Sequence, residues 1–376
     1  MRITVGTQGI GYVEARTIHN ASPPDVVFVR TYDLLNIANF LQRRLFQSSS
    51  ATTFANCLHC DLGFNGVDLL HLVNTISCSR TPWVVTYEHY LPRWNPRSAF
   101  GMKFLARPAC KKIIAMSQFA RDAQLSLLEA GSALADEIRQ RLCILHPPQD
   151  PLIDSYDQKR LSNDEVTCTF VGRDFFRKGG KEILEAVARL VAEHVPVKLN
   201  IVTDLGWGDY ASRATKEEAE AALSLIRSLA PHVQLHQDIP NEAVLDLFRQ
   251  SHIALLPTYD DTYGFVALEA QAAGTPVLST NVCTLPEING AETGWLIPLP
   301  KDPYGQALLN TAEERREVSE RIREGVYKIL KVTIGNVADI RTKGMQALQR
   351  IREEHSPVLY TQRLLAIYRE ALGVTP

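Results

Sequence analysis

Residues 255–277 read LLPTYDDTYGFVALEAQAAGTPV, and the order of residue types in this stretch decides the fold. An apolar run ends at Pro257, a residue that cannot continue a central strand. A polar loop follows, and apolar residues at helical spacing begin near Gly264. Gly274 closes that helix, as a glycine in the left-handed region commonly does. Thr275-Pro276 then leads into another apolar run. Strand, loop, helix, strand is the unit of a parallel sheet. A helix opening at the carboxyl end of such a strand offers N–H groups and a positive dipole end to an anion. Gly264 allows close backbone approach to a ligand. Glu269 falls about one and a half turns into the helix. A carboxylate there suits paired ribose hydroxyls, as acids do in dinucleotide folds. Asp261 stands at the mouth, within reach of sugar hydroxyls. Taken singly, either acid reads equally well as an ordinary surface acid.

The same alternation runs outward in both directions. Asp25–Arg30, Val67–Val73, Trp83–Tyr87 and Lys112–Met116 read as strands. So do Val166–Val171, Val197–Val202, Val233–His236, His252–Leu256 and Pro276–Ser279. Helical patterns such as Lys181–Glu193, Glu217–Leu229 and Asn241–Arg249 lie between them. Apolar strands spaced by helices imply parallel sheets covered on both faces, hence doubly wound α/β domains. A chain of 376 residues suits two such domains. Three prolines within His146–Pro151 mark the boundary. The expected division is residues 1–150, then 151–355, then a last helix over 356–376 that packs back on the domains. From about Asp302 onward the pattern is helical and charged.

Arg173 and Lys178 flank the turn after Val166–Val171. With Gly172 before them and Gly179 behind, two cations and the N–H groups of a new helix would face one point. Such a cluster stabilises negative charge on a bound anion. Two solvated cations in a basic turn, which also holds Arg177, are the plainer alternative.

The whole chain excludes several classes. Hydrophobic content of 45% and charged content of 22% are ordinary globular values. No apolar run is long enough to span a bilayer, and Met1–Val5 reads as a first strand rather than a leader. The expected compartment is the cytoplasm. Seven scattered cysteines argue against a disulfide framework. Cys57-Leu58-His59-Cys60 has no second pair to complete a zinc site. Residues 1–150 carry 15 Lys and Arg against 11 Asp and Glu, a charge of +4, and the remainder carries −6. The basic half includes Arg93, Arg97, Lys103, Arg107, Lys111 and Lys112, interleaved with Trp94, Phe100 and Phe104. This run suits a peripheral place at the inner face of a membrane or a phosphorylated acceptor. It also suits a solvated helix face. Nucleic acid is not expected from a chain of net charge −2.

Asp261 and Glu269, separated by seven residues around Tyr263-Gly264-Phe265-Val266, resemble the E-x7-E region of retaining GT-B glycosyltransferases of family 4. Ala273-Gly274-Thr275-Pro276-Val277 extends the likeness. So do Phe170-Val171-Gly172-Arg173, Lys178-Gly179-Gly180, Ile239-Pro240-Asn241-Glu242, Leu285-Pro286-Glu287 and Ile113–Ser117. The likeness covers residues 82–300 well and residues 1–80 poorly. It departs in having Asp261 where Glu is usual, and Val282-Cys283-Thr284 where a Gly-Gly pair is common. The resemblance implies two Rossmann-type domains facing a cleft, with a C-terminal helical tail. It implies a donor site of Gly172, Arg173, Lys178, Asp261, Tyr263, Gly264, Phe265, Val266 and Glu269, with Arg173 and Lys178 on the diphosphate. Related enzymes also have a His-containing loop facing the acceptor, which places Glu88 and His89 after Trp83–Tyr87 as acceptor-side candidates. A solvated loop His and Glu is as good a reading of that pair.

The expected activity is transfer of a hexose, with retention, from a nucleoside diphosphate sugar to a hydroxyl acceptor such as a glycan or lipid-linked saccharide. No Asp-x-Asp pair occurs, so no metal is expected, and the nucleotide sugar is the only co-substrate. The rivals are a phosphorylase or sugar-phosphate synthase of the same fold, and a catalytically silent sugar-nucleotide-binding subunit. A nicotinamide enzyme would need a third glycine after Gly9 and Gly11.

Overall fold

The computed structural model describes residues 2–9, 11–21, 23–35, 56–162 and 164–374. The chain divides into two compact units, one of residues 1–148 with 355–376, the other of residues 149–354.

In the first unit the described residues form a six-stranded parallel sheet. Its strands are β1 Ile3–Thr7, β2 Val26–Arg30, β4 Leu69–Val73, β6 Trp83–Tyr87, β7 Cys110–Ala115 and β8 Leu142–Ile144. A separate short pair joins β3 Leu58–His59 and β5 Ile76–Ser77. The sheet order is β2-β1-β4-β6-β7-β8. Every residue of β6 is buried, as a strand covered on both faces must be. After Gly11, where the sequence shows no clear helix, a short helix Tyr12–Glu14 runs into a π turn, Ala15–His19.

The helix Pro357–Leu372 belongs to this unit. Tyr360, Leu364, Tyr368 and Ala371 fall at helical spacing and pack with Ile3, Val5, Leu69, Val84 and Ile114. A buried polar link fixes the helix. Tyr368 Oη lies 2.6 Å from His71 Nδ1, and Thr86 Oγ1 lies 2.8 Å from Nε2. Burial pulls His71 down to about 3. The neutral ring has one donor and one acceptor, and a hydroxyl can meet either. Leu364 is fully buried in this cluster. Leu364→Ala is therefore expected to cost about 2–5 kcal/mol, read as a lower urea midpoint.

The second unit carries another six-stranded parallel sheet. Its strands are β9 Val166–Val171, β10 Val197–Val202, β11 Val233–His236, β12 Ile253–Leu256, β13 Val277–Thr280 and β14 Gly294–Ile297. The order β11-β10-β9-β12-β13-β14 reverses between β9 and β12. Loops leaving two such neighbours in opposite directions open a crevice at their carboxyl ends, where doubly wound sheets bind ligands. Residues 302–311, read as helical from the sequence, instead include a turn held by Asp302, whose Oδ1 accepts the N–H of Tyr304 and of Gln306, both at 2.9 Å. The long helix begins at Ala312, where Thr311 and Glu314 form a capping box.

Candidate donor site and a cavity in the first unit

The loops after β9 and β12 flank the reversal in the second sheet, and a dense set of bonds joins them. Thr258 is fully buried and donates its hydroxyl to the carbonyls of Arg177 at 3.1 Å and Asp260 at 2.7 Å. The Tyr259 N–H donates to the same Arg177 carbonyl at 2.9 Å. Arg177 returns a bond from its guanidinium to the Asp260 carbonyl at 3.0 Å. Two glycines make the approach feasible. Gly179 has φ +79°, and a Cβ there would lie 2.2 Å from the Pro257 carbonyl oxygen. Gly264 has φ +88° and caps the helix Phe265–Ala272.

At the centre, Lys178 Nζ lies 2.5 Å from Asp261 Oδ2, with the two side chains 14% and 13% exposed. The Lys178 stem lies over Gly172. These residues are 83 positions apart, and the pairing of β9 with β12 brings them together. Arg173 is exposed, and its guanidinium has no bonded partner among the described residues. The expected pair of cations is thus one cation held by an acid and one cation open to solvent.

The other expected donor residues divide by role. Tyr263 is buried and its ring tilts against that of Phe265 at 5.0 Å. Val266 is half-buried. Glu269 is buried within the helix.

Beneath the loops is a carboxyl that sequence reasoning missed. Glu182 is buried on the helix Gly180–Ala192, and its Oε1 accepts hydroxyls from Tyr259 at 2.7 Å and Ser319 at 2.6 Å. Burial pushes its pKa up, against the two hydroxyl bonds that pull it down. Tyr259 is thereby pinned from below. Glu182 and Tyr259 are 77 residues apart, and no local pattern signals the pairing.

In the first unit, a cavity of about 670 Å³ opens where β1, β4 and β6 end. Its lining includes Gly11, Tyr12, Glu14, Asn74, Glu88 and Arg93. The sheet order reverses between β1 and β4, so this too is a switch point. Glu88 is held by Asn74, whose amide donates to Oε2 at 2.8 Å and accepts the Glu88 N–H at 3.1 Å. His89 is not among the lining residues. Its ring stacks on Phe119 at 5.2 Å and tilts on Tyr90 at 4.4 Å. Asn74, in the left-handed region at the end of β4, was not legible as a partner of Glu88.

Three members of the basic run 93–112 have defined surroundings. Arg93 lines the cavity, Arg107 donates to the Cys78 carbonyl at 3.2 Å, and Lys112 pairs with Glu370 at 2.8 Å. No helix among the described residues is long and apolar enough to cross a membrane. The seven cysteines are free, and no group of three metal-ligating side chains occurs among the described residues.

Comparison with known proteins agrees with this fold. The chain has a GT-B fold: it aligns over its whole length with a glycosyltransferase from Rickettsia africae at a TM-score of 0.62 and 14% identity, covering all of that chain. It also aligns, over 97% of its length and 99% of the other's, with Anabaena HepE solved with UDP and glucose, at a TM-score of 0.60 and 12% identity. Residues 153–329, within the second unit, match the family of glycosyl transferases group 1. A D-inositol 3-phosphate glycosyltransferase of Streptomyces avermitilis is 29% identical over 253 residues, 61% of this chain and 54% of that protein. The chain spans about half the length of the curated relatives it matches.

Proposed function

We propose that the protein transfers a hexosyl group from a nucleoside diphosphate sugar to a hydroxyl acceptor, with retention of anomeric configuration. The observation that carries this reading is the Lys178–Asp261 pair, which joins the two loops at the switch point of the second sheet. UDP and glucose in Anabaena HepE are a precedent on the same fold, and the inositol phosphate relatives are a precedent for a small polyol acceptor.

The diphosphate lies at the N-terminus of the helix Phe265–Ala272, facing Lys178 and Arg173. As the sugar–phosphate bond breaks, negative charge grows on the leaving oxygen, and these cations with the helix N–H groups stabilise it. Asp261 holds Lys178 and orients the sugar hydroxyls. Glu269 takes the ribose hydroxyls. The acceptor hydroxyl attacks from the face that the diphosphate leaves, and the departing phosphate oxygen takes its proton. In the first unit, the cavity lined by Glu14, Glu88 and Arg93 offers carboxylates that can accept the hydroxyl hydrogens of a sugar or polyol. His89, set against Phe119, orients that loop.

The two motif acids separate cleanly by assay. Two hydroxyls donating to one carboxylate are charge-assisted bonds of roughly 1.5–3 kcal/mol each. Glu269→Gln is expected to weaken nucleoside diphosphate binding itself. Asp261→Asn is expected to leave that affinity nearly unchanged and to lower turnover, through lost orientation of the sugar. Normal turnover in Asp261→Asn removes Asp261 from the reaction.

Because side-chain cations face the diphosphate, transfer is expected to survive EDTA. Complete loss with EDTA, restored by a divalent ion, would show that a metal and not Lys178 with Arg173 carries the leaving-group charge.

A further inference from the structure

The connection from β10 to the helix Lys216–Ser228 holds two large aromatic side chains in solvent. Trp207 is 55% exposed and Tyr210 66%. The loop that presents them is braced from within. Asp209 Oδ1 accepts the N–H groups of Ala211 at 2.9 Å and Ser212 at 2.8 Å, and Oδ2 accepts the Ser212 hydroxyl. Gly208 donates its N–H to the Ala214 carbonyl at 2.9 Å, and Leu205 its N–H to Thr203 Oγ1 at 3.1 Å. These bonds order the loop before any ligand arrives, which lowers the entropy lost on binding.

The loop is also tied to both donor loops. Tyr210 donates its hydroxyl to the Asp260 carboxylate. The Arg177 guanidinium lies 5.9 Å from the Tyr210 ring centre. Thr203 Oγ1 donates to the Arg173 carbonyl at 3.4 Å. Trp207, by contrast, has no hydrogen bond or ring contact among the described residues. One aromatic ring is therefore anchored to the donor loops, and the other, three residues before it, stands open in solvent.

We propose that Trp207 and Tyr210 form a saccharide-stacking subsite, on which a pyranose ring of the acceptor lays its apolar face. This rests on the reading of the chain as a sugar transferase. Two features favour a sugar ring over a nucleobase. Asp260, which holds Tyr210, precedes Asp261, the acid assigned to the sugar end of the donor. Asp260 at the hydroxyl of Tyr210 and Arg177 over one face of its ring offer an anion and a cation to ring hydroxyls, while the opposite, electron-rich aromatic face meets the C–H groups between them. The substrate class is an acceptor saccharide whose ring extends from the transfer point over the loop 203–215.

The test uses the full chain, wild type and Trp207→Ala. Glucose, galactose, mannose, N-acetylglucosamine and maltose serve as probes by saturation-transfer NMR, with UDP and GDP titrated calorimetrically alongside. At least one sugar is expected to receive saturation at its ring C–H protons in the wild type. That signal is expected to fall about two- to tenfold in Trp207→Ala and to return in Trp207→Phe, with nucleotide affinity unchanged. Trp207 is exposed, so unfolding temperatures should match. Equal sugar signals in both proteins, or no sugar signal in a wild type that binds UDP or GDP, overturns the subsite and leaves the donor reading standing. Weaker UDP or GDP binding in Trp207→Ala also overturns it, by putting the nucleobase on the indole. If neither nucleotide binds the wild type, it is the donor reading that has failed.

Discussion

Lys178→Ala is expected to lower sugar transfer by about 100- to 1000-fold, the usual cost of removing one group aimed at charge that develops in the transition state. The side chain is mostly buried, its stem lies over Gly172, and its ammonium is fixed by Asp261. No other described cation is bonded to Asp261. Arg173, on the same loop, is exposed and cannot take over a position defined by that acid. The substitution also strands a carboxylate that is 13% exposed. Removing one partner of a shielded pair costs more than removing both. Lys178→Ala should thus melt at a lower temperature than wild type, and adding Asp261→Asn should restore part of the loss without restoring activity. If the double variant melts no higher than the single one, the pair does not hold the two loops together.

Gly179→Ala is expected to damage both stability and turnover. A non-glycine residue in the left-handed region costs about 1–2 kcal/mol. Here the added methyl would also lie 2.2 Å from the Pro257 carbonyl oxygen. The methyl can be accommodated only if the loops after β9 and β12 part, which displaces Lys178 from the diphosphate. A displacement of about 1 Å can cost 100-fold in rate. Gly290→Ala is the control, since nothing lies within 4 Å of a Cβ there and its φ is not positive. Unfolding temperature and turnover measured on both variants check this. Comparable behaviour of the two would show that the loops tolerate separation.

Much of the fold could be read from the sequence, for identifiable reasons. Val166–Val171, Val197–Val202 and Val233–His236 have the expected bounds, because in each β-favouring apolar residues alternate with polar ones between polar or turn-forming residues. β8 and β14 were missed, and both are short strands at sheet edges. Leu142–Ile144 follows the helix Ala133–Arg141 with no glycine or proline between, so nothing punctuates the change. Local spacing brought out Asp261, Gly264 and Glu269, since one strand–loop–helix unit carries all three. The bonds that make a site of them are long-range. Lys178 meets Asp261 only because β9 pairs with β12, and Tyr259 meets Glu182 through the same pairing. Periodicity within a segment carries no information about which strands become neighbours. For the same reason the Asn74–Glu88 bond, set by the pairing of β4 with β6, was invisible.

The central claim is that the switch point of the second sheet binds a nucleoside diphosphate through Lys178. Calorimetric titration of UDP and GDP into wild type and Lys178→Ala tests it most directly. The account predicts that wild type binds at least one of the two and that Lys178→Ala binds it about tenfold more weakly or worse, as loss of a charge-assisted bond requires. Binding of equal strength in both proteins, or no binding of either nucleotide by wild type, would contradict it.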